Sequence, residues 1–392
     1  MRADIILLTF AYVLSQFFRA FLAVLAEVLE RDIGAAPEAL ATASGFWFLS
    51  FAAMQIPIGW ALDRVGPRLT SSVLLLIGGG GGAALFAMAQ GPGMISAAML
   101  LIGVGCAPVL MASYYIFARV YRPHVFATLA AVLLGVGSLG NLASALPTTW
   151  AVEMIGWRAA LWVMAGISAA TAAGLFVMVR DPGRAEGDHK GSVLSILKMP
   201  ALWLIFPLTA VQYAPAAGIR GLWIGPYLSD VFGAAPGTVG NMTMIMGVAM
   251  IAGTFFFGPL DRVFGTRKWV IFGGNMAGLA ALCLLIFLVP ESLVLTIVLF
   301  SAIGFACATY PVVMAHGRSF FPDHLVGRGV TLMNLFSIGG VGVMQVATGQ
   351  IFRAAEQGAQ SAVEPYTVLF AFFAICLAVG LVIYLFAEDR TA

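Results

Sequence analysis

GWALDRVGPRLT, residues 59–70, sets Asp63, Arg64 and Arg68 between two apolar stretches, and a near copy, FGPLDRVFGTRK, returns at residues 257–268. Arginine is costly in hydrocarbon, so each copy reads as a polar loop joining two membrane spans. Asp63 and Asp261 lie 198 residues apart in a chain of 392, so the spacing by itself points to a duplicated unit.

The composition agrees. Hydrophobic residues make up 61% and charged ones 10%, with a mean hydropathy of +0.98, far above the roughly 45–50% apolar share of a globular chain. A soluble enzyme of this length is excluded. Apolar runs of about 20 residues, enough to cross the bilayer, place helices near 5–29, 41–62, 69–89, 95–120, 125–150 and 157–180. A second set falls near 201–230, 239–258, 269–289, 292–316, 328–350 and 365–386. The opening run MRADIILLTFAYVLSQFFRAFLAVLAEVLE has no small-residue cleavage site after a short apolar core, so a retained first helix is expected.

The expected architecture is an all-α membrane protein of twelve transmembrane helices in two pseudo-symmetric six-helix bundles. The domains are residues 1–180, a cytoplasmic linker at 181–200 that holds the polar run DPGRAEGDHKGS, and residues 201–392. Of the 20 lysines and arginines, fifteen fall on the side of the two motif loops, while only Arg31, Arg158 and Arg353 fall opposite and Arg19 and Arg220 lie within spans. The positive-inside rule then puts both termini in the cytoplasm. A second echo supports the duplication: Cys106-Ala-Pro-Val-Leu-Met111 in helix 4 parallels Cys307-Ala-Thr-Tyr-Pro-Val-Val-Met314 in helix 10.

These residues resemble the Major Facilitator Superfamily, whose loop 2–3 signature G-x-x-x-D-R-x-G-x-R stands here as Gly59, Asp63, Arg64, Gly66 and Arg68, with a degenerate copy at Asp261, Arg262 and Arg267. The resemblance covers the whole chain. It implies a secondary transporter with one central site that opens alternately to either side. It also implies that Asp63 and its arginines latch the cytoplasmic side shut in the outward-facing state. The alternative is that the arginines serve topology alone.

Ionisable residues inside spans are functional candidates, which selects Arg19 on helix 1 and Arg220 on helix 7. Shifted by the 198-residue spacing, Arg19 lands on Ala217, one helical turn from Arg220. A guanidinium fork suits a carboxylate or phosphate, so the pair reads as an anion site, with helix-to-helix bonding as the structural alternative. Met242, Met246 and Met250 form a stripe on helix 8, and with Cys106, Met111, Cys307 and Met314 they are candidate soft ligands for Cu(I). Methionine also fills gaps in apolar packing.

The run MGVAMIAGTFFFGPLDRVFGTRK, residues 246–268, resembles the superfamily branch of bacterial copper importers and riboflavin importers. Met246 and Met250 are the metal candidates it implies. The His-x-x-x-Met partner of that group is missing, and two arginines oppose a bare cation. Trp47, Trp223, Tyr114, Tyr115, Tyr213 and Phe46 are candidates to stack on a flat ligand. The five glycines Gly78 to Gly82 in helix 3, with Gly135, Gly137 and Gly140 in helix 5, point to close helix approach or bending.

No Asp or Glu stands at mid-span, which leaves Glu27 as the coupling candidate, and no phosphate-binding loop supports direct ATP drive. The four cysteines, all within apolar runs, suit neither a disulfide framework nor a zinc site. The expectation is therefore a monomeric, non-enzymatic, multi-pass transporter of a bacterial-type inner membrane, with no cofactor and no nucleic-acid partner. Its expected partners are the lipid bilayer and a small-molecule or metal-ion substrate. Copper uptake is the leading substrate. An organic anion or other small metabolite held by Arg19 and Arg220, riboflavin, or a non-transporting receptor or scaffold are the alternatives.

Overall fold

The computed structural model of the protein describes residues 3–121, 123–182, 196–288, 292–321 and 326–390. The chain divides into two compact units, Met1–Gly187 and Asp188–Ala392. Of the expected linker at 181–200, residues 183–195 lie outside the described ones.

In the first unit, helix 1 is two segments, Asp4–Phe18 and Leu22–Ile33, bent by 50° at residues 19–21. Helix 2 is likewise Pro37–Ala53 and Gln55–Arg64, bent by 40°. Helix 3 runs Pro67–Ala87, and helix 4, Pro92–Val120, carries Pro108 inside it. Helix 5 begins as Pro123–Ala143 and continues to residue 155, where Gly156, at φ 77°, turns the chain into helix 6, which ends at Met178. That conformation is open to glycine and strained for a residue with a Cβ. The unit closes around Leu8, Tyr12, Leu75, Val109, Leu133 and Leu175, contributed by helices 1, 1, 3, 4, 5 and 6.

In the second unit, helix 7 is broken most. Pro200–Leu204, Phe206–Val211, Ala214–Gly218, a widened π-turn Ile219–Trp223 and Ile224–Phe232 follow one another. Helix 8 is Pro236–Phe257, extended by Leu260–Phe264, and helix 9 is Lys268–Leu288. Helix 10 is Leu293–Ala306 and Tyr310–Arg318, separated by residues 307–309. Pro311 has no N–H to give the Cys307 carbonyl, which favours a break there. Helices 11 and 12 are Val326–Glu356 and Glu364–Tyr384. Eight described helices are long and apolar enough to cross a membrane, ten if each bent pair is one span. Helices 5 and 7 complete the twelve.

Close backbone contacts set the packing, and they repeat. A Cβ on Gly140 of helix 5 would stand 2.0 Å from the Val13 carbonyl oxygen of helix 1; one on Gly340 of helix 11 would stand 2.0 Å from the Ala210 carbonyl oxygen of helix 7. In helix 3, the glycine run lies in a π-turn at Leu75–Gly81, where Gly78 meets the backbone of Gly105 in helix 4. Helices 1 and 7 end alike: Gly34 and Gly233 adopt the left-handed conformation at φ 65° and 60°, and Pro37 and Pro236 each open the next helix. The sequence there is GAAP in both halves. Large side chains such as Ile77, Phe176, Val177, Phe255 and Phe287 are exposed on helices 3, 6, 8 and 9, as befits faces that meet lipid.

Candidate functional site

The loop from which the sequence argument began is anchored from an unexpected quarter. Gly66, at φ 101°, leads into Pro67 at the start of helix 3, and the space its missing Cβ leaves is filled by the Asp181 carboxylate, 2.7 Å from where that atom would be. Asp181 Oδ1 accepts the Arg68 backbone N–H at 2.8 Å. A carboxylate at a helix N-terminus satisfies donors with no partner inside the helix and meets the positive end of its dipole. Arg68 lays its guanidinium 4.9 Å from the Phe176 ring of helix 6. Asp63 faces Arg119 of helix 4 at 3.7 Å, and Arg119 also stacks on Tyr115, 3.8 Å from its ring, and donates to its hydroxyl. A cavity of about 280 Å³ opens among Asp63, Gly66, Tyr115 and Asp181. Arg64 is exposed, and nothing lies within 4 Å of the space a Gly59 Cβ would fill.

The second unit repeats the plan with different residues. Asp389, just beyond helix 12, takes the Thr266 hydroxyl and the backbone N–H groups of Arg267 and Lys268, at 3.1 and 3.0 Å, at the start of helix 9. Asp261 pairs with Arg267 at 3.3 Å, while Arg262 is exposed. The chain around Asp389 is held further: Lys268 Nζ donates to the Leu385 carbonyl at 2.7 Å, and buried His316 bridges the Tyr384 hydroxyl and the Glu388 carbonyl. Burial alone would raise the Asp389 pKa, but the Thr266 hydroxyl and the two backbone donors outweigh it and hold the carboxyl below its ordinary 3.8.

Each unit is also fastened at its other end. Trp157, opening helix 6, donates its indole N–H to Asp32 at the end of helix 1 at 2.9 Å, and Arg158 donates to the Ala89 carbonyl at 3.1 Å. Tyr366, opening helix 12, donates to Asp230 at the end of helix 7. In both units, then, one aspartate ties the first helix to the last, and another ties the segment after the last helix to the third. None of Asp32, Asp181, Asp230 and Asp389 was selected from the sequence. The repeat could have found them, since Asp32 and Asp230 are 198 residues apart, the spacing of the loop motif.

Arg19 lies in the bend of helix 1 and Arg220 in the π-turn of helix 7. Their register is 201 residues, and YVLSQFFR at 12–19 aligns with YAPAAGIR at 213–220 without a gap. The three-residue mismatch expected from the loop spacing reflects a shorter stretch after the arginine in helix 7: Asp32 follows Arg19 by 13 residues and Asp230 follows Arg220 by 10. The Arg19 guanidinium lies 5.4 Å from the Trp47 ring and 5.9 Å from the Phe51 ring of helix 2, and its Nε is buried without a hydrogen bond. Arg220 is 3% exposed and sits against Gly247 of helix 8, where a Cβ would come within 2.9 Å of its Nε.

Met246 is fully buried, and it and Met250 lie on Gly304 of helix 10, while Met242 is half-buried. Cys307 packs its Sγ on Gly278 of helix 9, and Cys106 lies among Ser15, Arg19 and Trp47. Met111 and Met314 are half-buried. Five residues along one helix turn Met111 about 140° away from Cys106. Among the described residues, no group of three or more His, Cys, Asp or Glu could hold a metal ion. His189, His324 and the side chain of His124 lie outside the description. Glu27 is exposed, opposite the buried face Leu22, Leu25, Ala26 and Leu29. Trp47 and Trp223 are fully buried, the latter donating to Thr348 at 3.1 Å, so neither offers a free face to a ligand.

The duplicated motif, the matched arginines and the repeated glycine contacts define the chain as two copies of one six-helix unit. Comparison with known proteins places that plan. Residues 8–220 and 208–392 match the family model of the Major Facilitator Superfamily. The inner membrane transport protein YdhP of Escherichia coli K12 is 30% identical over 155 residues, 39% of this chain and 40% of YdhP, so the match spans well under half of that relative. Among solved structures, a bacterial homolog of the human lysosomal transporter Spinster, inward-facing and occupied, has a TM-score of 0.81 at 16% identity over 98% of this chain and 96% of that one. A D-xylose-proton symporter has a TM-score of 0.78 at 15% identity, covering 98% of both chains. These likenesses show the fold, and with the family model running through both halves the chain belongs to the Major Facilitator Superfamily.

Proposed function

We propose that the protein is a secondary transporter that carries a small organic anion across a bacterial-type inner membrane by alternating access, with Arg19 and Arg220, each within its own unit, as the candidates to meet an anionic group. The observation that supports this most is the pair of arginines at the same register, 201 residues apart, each inside an apolar span and each at an interruption of its helix. A charge kept in hydrocarbon carries a large desolvation cost. Arg19 offsets part of it through the Trp47 and Phe51 rings in its own half, which suits a group that gains a further partner with the solute. Interrupted helices that line a solute path are a recurrent device in such transporters.

Copper receives less support. The candidate thiols and Met246 are buried against neighbouring helices, and two guanidinium groups repel a cation. Of the candidate stacking residues, Trp47 and Trp223 are fully buried and Tyr115 is covered by Arg119, which gives riboflavin less support. Asp63, Arg64, Arg68, Gly59 and Gly66, with Asp261, Arg262 and Arg267, are assigned to the gate, and both termini to the cytoplasm. The excess of basic residues on the motif side supports that orientation.

The test is ligand-induced thermal stabilisation of the purified protein by a panel of carboxylates, their neutral amides, inorganic phosphate and Cu(I). Carboxylates should raise the melting temperature, and their amides should not. Stabilisation by Cu(I) alone would overturn the anion reading.

A further inference from the structure

We propose that the single helical turn Ala214–Gly218 of helix 7 switches between two arrangements, and that Gln345 of helix 11 is the group it engages in the second. The turn is set off on both sides: residues 212–213 interrupt the helix before it, and the π-turn Ile219–Trp223 follows it. Pro215, inside the turn, has no N–H to give the Val211 carbonyl, which favours the first interruption. What lies beyond the π-turn is anchored. The Trp223 indole donates to the Thr348 hydroxyl at 3.1 Å, that hydroxyl donates to the Gln345 backbone carbonyl at 2.8 Å, and Tyr366 holds Asp230 at the helix end.

The Gln345 side chain has no such anchor. It is 1% exposed, and neither its Oε1 nor its Nε2 has a hydrogen bond among the described residues, so turning the amide over would not satisfy it. A buried amide without partners is costly. What it touches is the short turn: the space a Gly218 Cβ would fill lies 2.7 Å from Gln345 Oε1 and 2.9 Å from Phe373 Cζ of helix 12. Glycine there brings the helix 7 backbone against the amide without bonding it. A π-turn holds one residue more than an α-turn, so its conversion to α-helix would rotate the preceding turn by about 100° and shift it by about 1.5 Å, presenting a different backbone face to Gln345. The unpaired amide raises the free energy of the present arrangement and so keeps the second within reach. Arg220 stands inside the π-turn, so the same motion carries its charge.

Amide hydrogen exchange of the full-length protein in detergent, corrected for intrinsic rates, tests this with no solute present. Residues 214–228 are all buried, so static packing would protect them alike. In the wild type the amides of 216–223 should exchange about 10-fold faster than those of 224–228. Gln345→Met keeps the length of the side chain and removes its polar atoms, which stabilises the present arrangement. In that variant the two stretches should agree within about 2-fold, and the melting temperature should rise by about 2 °C. Gly218→Ala, which sets a Cβ against Gln345, should widen the wild-type difference instead. Equal exchange of the two stretches in the wild type, a difference that survives in Gln345→Met, or a lower melting temperature in Gln345→Met would overturn the proposal.

Discussion

Arg220 is held in position by a residue that makes no polar contact. Gly247 leaves the space its guanidinium occupies, and a Cβ there would approach Nε to 2.9 Å and Nη2 to 3.1 Å. Gly247→Ala should therefore displace the charge and raise KM for the anion about 10-fold, a shift of roughly 1.4 kcal/mol. If Arg220 is the target, adding Gly247→Ala to Arg220→Ala should lose nothing more. A double-variant cycle in transport assays reads this coupling. Arg220→Lys should restore only part of the affinity, because an ammonium lacks the planar fork. Asp389 allows a pH prediction. Its folded-state pKa lies below the ordinary 3.8, so its contribution is complete above that value and is lost as pH falls through the depressed one. Protection of the Lys268 and Arg267 amides against hydrogen exchange, taken relative to their intrinsic rate at each pH, should be complete at neutral pH and fall only below the ordinary carboxylate value of 3.8. In Asp389→Ala that protection should already be reduced at neutral pH, with a cost on the order of 1 kcal/mol for the lost helix cap.

At the scale of helices, the spans were legible because each needs about 20 apolar residues, and that demand leaves its mark on composition. Their interruptions were not. The bend at 19–21 and the π-turn at 219–223 leave no mark on hydropathy, and the break at 307–309, which Pro311 favours, falls inside an unbroken apolar run. Helix 5 runs on to residue 155, farther than the expected 150, because Gly156 and not an earlier polar residue makes the turn. The arginine pair is legible but falls three residues out of register, since the spacing of the loop does not carry over to a helix whose C-terminal part differs in length. Asp181 was missed because a charge in a polar linker looks solvated, although its partner lies 113 residues earlier. Releasing that carboxylate should free the loop it anchors: Asp181→Ala should speed tryptic cleavage after Arg64 several-fold with little change in melting temperature. Close helix contacts behave otherwise. Gly140→Ala would drive a Cβ to within 2.0 Å of the Val13 carbonyl, and the overpacking should cost about 1–3 kcal/mol, read as a lower melting temperature without loss of insertion.

The whole molecule is a duplication in which each copy kept one arginine inside the membrane, one loop motif and two aspartate ties. Conserved geometry at the ends and altered side chains along the helices are what a transporter needs if rigid units move while the solute path is tuned. The most direct test of the central claim is uptake of a radiolabelled carboxylate that stabilises the purified protein, into proteoliposomes containing equal amounts of wild type, Arg19→Ala or Arg220→Ala. Saturable uptake by the wild type, reduced about 100-fold in kcat/KM in either variant at unchanged melting temperature, is the expected result. Uptake by both variants at the wild-type rate would contradict the account.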